Sequence, residues 1–404
     1  MPEIVGNAEV SRLLDELTRM EGRENPYPRY ARLREIAPVV RADDGALVVT
    51  GYADCTTVVR DGRFAHLPAD MLAFLGYPDW RERPALRQLF TSMLLLNPPE
   101  HTRLRRLVSS AFTARRVQTL RPVIERMVDD LLATMSGEVD FIEAFAFPLP
   151  VDVIGELLGI PAGDRRQFQT LVRDWTMVLE SITPDVLSRA DPAAATIRDY
   201  LAGLLAERRE HPRDDLLTAL AQAQAADDRL TDDEVLATAA LLFAAGFETT
   251  TNLLANGLVA LLDHPGQLRL LAERPELTAP AVEELLRFDG PVQLSSRITT
   301  DPVELGGATI GAGERVVAYL GAGNHDPARF ADPGQLRLDR ADNAPLSFGG
   351  GIHYCLGSPL ARLEAQIALP ALVRRFPGLR LAGRPGRRDS LTLKGFTSLP
   401  VRTG

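Results

Sequence analysis

Phe348-Gly349-Gly350-Gly351-Ile352-His353-Tyr354-Cys355-Leu356-Gly357 is the stretch on which the reading of this chain turns. Three successive glycines give a backbone that can take positive φ and approach a flat ligand closely. Cys355 sits where that turn ends and a helix, Leu360–Leu369, is about to begin. Amides near a helix start point outward and favour an anion, so they stabilise a thiolate. A phosphate-binding loop does not fit, because the pattern after Gly349-x-Gly351 needs glycine at 354 and finds Tyr354. The plainer alternative is a glycine turn beside an incidental buried cysteine.

Composition narrows the field around that loop. The 404 residues are 45% hydrophobic and 25% charged, an ordinary globular balance. A formal net charge of −9 is repelled by nucleic-acid phosphates, so no nucleic-acid role is expected. Lys394 is the only lysine, which rules out a P-loop and leaves Schiff-base catalysis one candidate near the C-terminus. Cys55 and Cys355 are the only cysteines, too few for a disulfide framework or a four-cysteine zinc site. The first twenty residues carry Glu3, Glu9, Arg12, Asp15, Glu16 and Arg19, unlike a signal peptide. The longest apolar run, Ala237 to Phe247, is too short to span a bilayer. A soluble, cytoplasmic monomer with one domain over residues 1–404 is expected.

Periodicity predicts a helix over Tyr27–Ile36, strands at Val39–Arg41 and Ala46–Val49 turning at Asp43-Asp44-Gly45, and a helix from Tyr52. Residues 66–97 read as a long loop with short helical turns and scattered large hydrophobics, a kind of loop that is usually functional. From 98 to 290 the pattern is helical, with breaks at several prolines including Pro184 and Pro192. The longest helix starts at the capping-box pattern Thr231-Asp232-Asp233-Glu234 and runs to about Asp263, roughly 50 Å. Its segment Ala239 to Ala245 is apolar all round, so it must be central and buried. After 290, short strands fall at Ile298–Thr300, Val303–Leu305 and Arg315–Leu320, and the last thirty residues read as β-rich. The order predicts a mainly α, α+β fold.

Two further stretches carry chemistry. In Ala245-Gly246-Phe247-Glu248-Thr249-Thr250 a glycine inside the helix costs about 1 kcal/mol relative to alanine, and an acid among apolar residues costs more. Two local rules broken side by side suggest a site. The alternative is a threonine bonding back to the helix, with Glu248 in a water pocket. In Glu284-Leu285-Leu286-Arg287, carboxylate and guanidinium share a helix face; taken alone, such a pair is common surface decoration.

The cysteine loop with Leu360-Ala361-Arg362, the Glu284/Arg287 pair and the Gly246–Thr250 segment stand in the order found in the cytochrome P-450 family. The chain resembles that family from about Asn25 onward, and most of all its soluble bacterial members. The resemblance implies a helix-rich lobe around the long helix plus a small β-rich lobe. It makes Cys355 the sulfur ligand to the iron of haem b, in a loop containing Phe348 and Gly357, with a thiolate that favours O–O cleavage. It implies that His101, Arg105, Arg297 and His353 clamp the haem propionates. Gly246 would open room over the haem, and Glu248 and Thr249 would relay protons during oxygen activation. Glu284 and Arg287 become a buried structural pair, with Glu283 the exposed neighbour. The substrate pocket is expected to be apolar and lined by Leu242, Ala245, Val292, Leu294, Phe396 and residues from 66–97.

The implied activity is insertion of one oxygen atom from O2 into an apolar small molecule, by hydroxylation or epoxidation, within secondary-metabolite biosynthesis. Oxidative coupling and non-catalytic haem binding or gas sensing are the rivals; Glu248-Thr249 argues against the second. Electrons are expected from an external ferredoxin and its NAD(P)H reductase, docking where Arg103, Arg106, Arg115, Arg116 and Arg362 gather. Two positions depart from the family pattern. Gly323-Asn324-His325-Asp326-Pro327 replaces a frequent Ala-Asn-Arg-Asp-Pro, and Asn97 stands for a frequent Asp before the proline pair.

Overall fold

Thr231 caps the long helix in the way its spacing predicts. Its hydroxyl accepts from the Glu234 amide and the Glu234 carboxylate accepts from the Thr231 amide, at 3.3 and 2.8 Å. In this computed structural model, which describes residues 4–225 and 228–404, the helix runs Asp232–Asp263 and stops before His264-Pro265. It is buried along almost its whole length, from Val235 to Leu261. Helices Pro148–Leu158, Pro184–Glu210, Thr278–Asp289 and Ser358–Arg375 pack around it. None of the described helices is long and apolar enough to cross a membrane.

The small β lobe has a five-stranded sheet in the order Val39–Arg41, Leu47–Val49, Arg315–Ala318, Ser295–Thr299, Phe64–Ala65. Its last pair is antiparallel, with Phe64 opposite Thr299 and Ala65 opposite Ile298. A three-stranded sheet joins Arg380–Leu381, Pro400–Arg402 and Glu138–Asp140, fastening the C-terminus to the helical lobe.

Some sequence expectations need correcting. The helix Pro184–Glu210 passes through Pro192 instead of breaking there, and Ser358–Arg375 continues through Pro370 beyond the expected end at Leu369. An interior proline costs about 3 kcal/mol. Burial of Ala190, Ala193, Ala194 and Ile197 in one case, and of Ala368, Leu369 and Leu372 in the other, offsets it. Residues 66–97 contain a true helix, Pro84–Phe90, beside the turn Ala69–Ala73. The helix Ala8–Thr18, capped by Asn7, lies before any element the periodicity predicts. Met1 to Glu3, counted within the charged N-terminus, fall outside the described residues.

Candidate active site

Loop 346–357 is anchored at its start before its cysteine is placed. The Leu346 amide donates to Asn324 Oδ1, and Ser347 Oγ donates to the Leu286 carbonyl, at 2.7 and 2.6 Å. The Cys355 amide then closes the turn on the Phe348 carbonyl at 3.0 Å. Gly349 and Gly351 take φ of 67° and 62°, which only glycine adopts readily. Gly349 borders the cavity with nothing within 4 Å of where a Cβ would stand, whereas Gly350 and Gly351 pack closely on protein. A Cβ on Gly350 or Gly351 would stand 2.9 Å from Val59 Cγ2 or 2.8 Å from the Val59 carbonyl.

Cys355 presents its sulfur to a predominantly apolar cavity of about 280 Å³, also lined by Phe348 and Gly357. Its accessible surface is cavity surface, whereas protein atoms crowd its other sides. Burial, the largest influence, therefore pushes the thiol upward. The Gly357 amide, Arg105, the Ser358 amide and Arg362 act in the opposite direction and favour the thiolate. Cys55 is fully buried elsewhere, with its thiol directed at the Val49 and Tyr319 carbonyls.

One edge of the cavity is cationic without matching acids. Arg105 and Arg297 both line it; Arg105 donates to the Tyr354 carbonyl at 2.7 Å and Arg297 to Ser295 Oγ at 2.7 Å. Burial pushes Arg297 down to about 10. His353 lines the same edge, and His101 packs behind it, ring centroids 4.1 Å apart. Burial and then neighbouring cations and imidazoles hold His353 down to about 3. Both ring nitrogens of buried His101 lack a hydrogen-bond partner among the described residues. A buried and a half-buried cation and unpartnered ring nitrogens at one edge, with a thiol facing the same space, fit a haem with two propionates.

The central helix supplies another wall through Leu242, Ala245, Gly246 and Thr249, joined by Val292 and Leu294. Gly246 borders the cavity, and a Cβ there would also meet Ile154 Cγ1 at 2.9 Å. One expectation changes here. Phe396 lines a separate outer cleft of about 940 Å³, while Leu294 borders both spaces. Thr249 Oγ1 donates to the Ala245 carbonyl at 2.8 Å. Glu248 is buried but does not line the cavity. Its carboxylate accepts from Thr176 Oγ1 at 3.0 Å and makes ion contact with Arg388 Nη1 at 2.6 Å, without the angle of a directed hydrogen bond. Thr176 and Arg388 both line the outer cleft.

Glu284 and Arg287 are completely buried and joined at 2.7 and 2.8 Å. Glu283 is not a free neighbour, since Arg362 clasps it at 2.5 and 3.0 Å. The other arginines expected as docking charge are mostly neutralised. Arg103 pairs with Asp228 and Glu234, Arg106 with Asp228 and Arg116 with Asp214. Only Arg115 of the five lacks an ion pair among the described residues.

Sequence reasoning missed Arg388, Glu364 and His66. Glu364 lines the cavity from the cysteine helix with Oε2 unpartnered, and burial pushes its carboxyl well above the usual range. Its nine-residue separation from Cys355 offers no periodic signal, and Arg388 reaches Glu248 only through tertiary folding.

A flat ring carrying a metal and two acids is what satisfies both ends of this cavity at once, which places the protein among the haem-thiolate proteins. Comparison defines the group further: the Cytochrome P450 family model matches residues 76–385, and the chain belongs to that family. Cytochrome P450 107B1 of Saccharopolyspora erythraea is 42% identical over 395 residues, spanning 94% of this chain and 96% of its own. The monooxygenase PikC of Streptomyces venezuelae is 41% identical over 396 residues, spanning 94% and 91%. The crystal structure of P450BioI with a ligated acyl carrier protein superimposes with a TM-score of 0.89 at 35% identity, covering 95% and 99%. This chain is thus an oxidoreductase of the monooxygenase type.

Proposed function

We propose that this protein inserts one oxygen atom from O2 into an apolar small molecule of natural-product biosynthesis, by hydroxylation or epoxidation. The observation that carries this reading is that Cys355 and Thr249, from two different elements, line one apolar cavity. Relatives named 6-deoxyerythronolide B hydroxylase and mycinamicin IV hydroxylase/epoxidase support both the reaction type and the substrate class. Haem, held by Cys355 with Arg105, Arg297, His101 and His353 at its propionates, supplies the binding and activation of dioxygen.

The chain's own residues govern protons, water and substrate. Thr249 donates its hydroxyl hydrogen bond to the Ala245 carbonyl, so toward the cavity it offers lone pairs that hold a water's proton in place. Glu248 sits one residue back on the cleft side, where Thr176 and Arg388 balance it, and passes protons inward from that cleft. Leu242, Ala245, Val292 and Leu294 exclude bulk water and orient an apolar substrate. Electrons come from a ferredoxin and its NAD(P)H reductase.

A screen of macrolide, terpenoid and peptide intermediates by shift of the Soret band identifies ligands. Turnover of a hit under isotopically labelled O2, with surrogate ferredoxin and reductase, should give a product carrying one labelled oxygen. A product with two centres newly joined and no labelled oxygen would instead establish oxidative coupling.

A further inference from the structure

His66 is a third imidazole at the cationic edge of the cavity, and nothing in the family's motif order points to it. Its ring borders the cavity, 4.5 Å from the His353 ring in an edge-to-face arrangement. The side chain is 8% exposed, and Nε2 has no partner among the described residues. A buried donor left without an acceptor costs about 1–3 kcal/mol, so an arrangement that holds one in place calls for an acceptor.

Two features aim this residue. Strand Phe64–Ala65 pairs with Ser295–Thr299 so that Ala65 faces Ile298. Continuing that register by one residue sets His66 opposite Arg297, and directly opposed residues project from the same face. Asn97 then brackets the His66 backbone: its side-chain oxygen accepts from the His66 amide at 2.8 Å, and its side-chain amide donates to the His66 carbonyl at 2.9 Å. An aspartate at 97 could not donate the second bond, so the departure from the family pattern at this position serves His66.

We propose that His66 is a propionate-binding residue, donating from Nε2 to the same haem carboxylate that Arg297 engages. Burial first, and Arg297 second, hold the imidazole down to about 2, which leaves it neutral, with one ring N–H to donate. This inference rests on the haem reading; a wild-type protein that bound no haem would defeat that reading before the role of His66 could be asked.

The experiment measures transfer of ferric haem from the purified holoprotein to excess apomyoglobin, for wild type, His66→Phe and His66→Gln. Loss of a hydrogen bond to a charged group should speed release by about tenfold or more in His66→Phe, while His66→Gln, which keeps a donor, stays near wild type. Resonance Raman should show the propionate bending band displaced in the Phe variant only. Paired with Arg297→Ala, the two effects should be non-additive, as expected of groups sharing one carboxylate. Wild-type release and an unmoved band in His66→Phe would overturn the proposal, as would equal acceleration by Phe and Gln.

Discussion

Thr249 illustrates how much rests on one hydroxyl. Both it and Thr250 bond back to carbonyls one turn earlier, at 2.8 and 3.0 Å, and both border the cavity, each with hydroxyl lone pairs left to accept. Thr249→Ala removes that acceptor while leaving the cysteine loop and the apolar walls in place. Substrate affinity should therefore hold within about twofold, while product formed per NADPH consumed falls and hydrogen peroxide rises. Unchanged coupling in this variant would move the proton route elsewhere, with Thr250 next to test. At the opposite edge, Arg105→Ala or Arg297→Ala each removes a charge-assisted hydrogen bond worth about 1.5–3 kcal/mol. Both variants should lose haem at lower urea concentration than wild type, and retention equal to wild type in both would remove these residues from the propionate site.

At the scale of elements, Glu284 is the junction that holds helix Thr278–Asp289 to segment 324–343. It accepts from Arg287, Arg340, Asn343 and the Arg337 amide, and Arg287 in turn donates to the Asn324, Pro333 and Gln335 carbonyls. Removing Arg287 leaves Glu284 with Arg340 as its remaining charged partner and strips three carbonyls of this donor, so Arg287→Ala should destabilise the fold by about 3 kcal/mol in denaturant titration. Glu284→Gln keeps the shape and should cost less; equal stability of Arg287→Ala and wild type would contradict the account. His325, in the same segment, stacks on Tyr27 at 3.9 Å and bonds the Phe288 carbonyl at 2.8 Å. Burial holds it down to about 4, below its ordinary 6.5, so the native state binds fewer protons than the unfolded chain between those values. Its contribution is full above about 6.5 and is lost as pH falls toward 4, at most about 3 kcal/mol. Replacing His325 with Gln should flatten the stability slope over that window, as read by urea midpoints at pH 7 and 5. These elements also show what a sequence makes legible. The Thr231 cap and the Glu284/Arg287 pair depend on neighbours within one turn, and both are visible as spacing. The role of Glu248 depends on Thr176 and Arg388, and that of His66 on a strand register 231 residues away by the pairing of Ala65 with Ile298 and its continuation, so neither leaves a local mark.

Over the whole molecule, the central helix provides a cavity wall, while the cationic edge is assembled from helix Glu100–Ala111 (His101, Arg105), the cysteine loop (His353) and strand Ser295–Thr299 (Arg297), with the cysteine loop anchored at its start to Asn324 and the Leu286 carbonyl. Two thiols sit in opposed environments within this arrangement. Cys55 is sealed in the β-lobe core, its thiol pushed far up by burial, whereas Cys355 opens on the cavity with amides and arginines favouring the thiolate. The central claim is that the second of these is the axial ligand of a bound haem. It is tested most directly by the absorption spectrum of the reduced, CO-treated protein in wild type, Cys55→Ala and Cys355→Ala. Wild type and Cys55→Ala should show the Soret band at the long wavelength diagnostic of thiolate ligation. Cys355→Ala should lack that band, whether or not haem is retained; a thiolate-type spectrum surviving in Cys355→Ala would contradict the account.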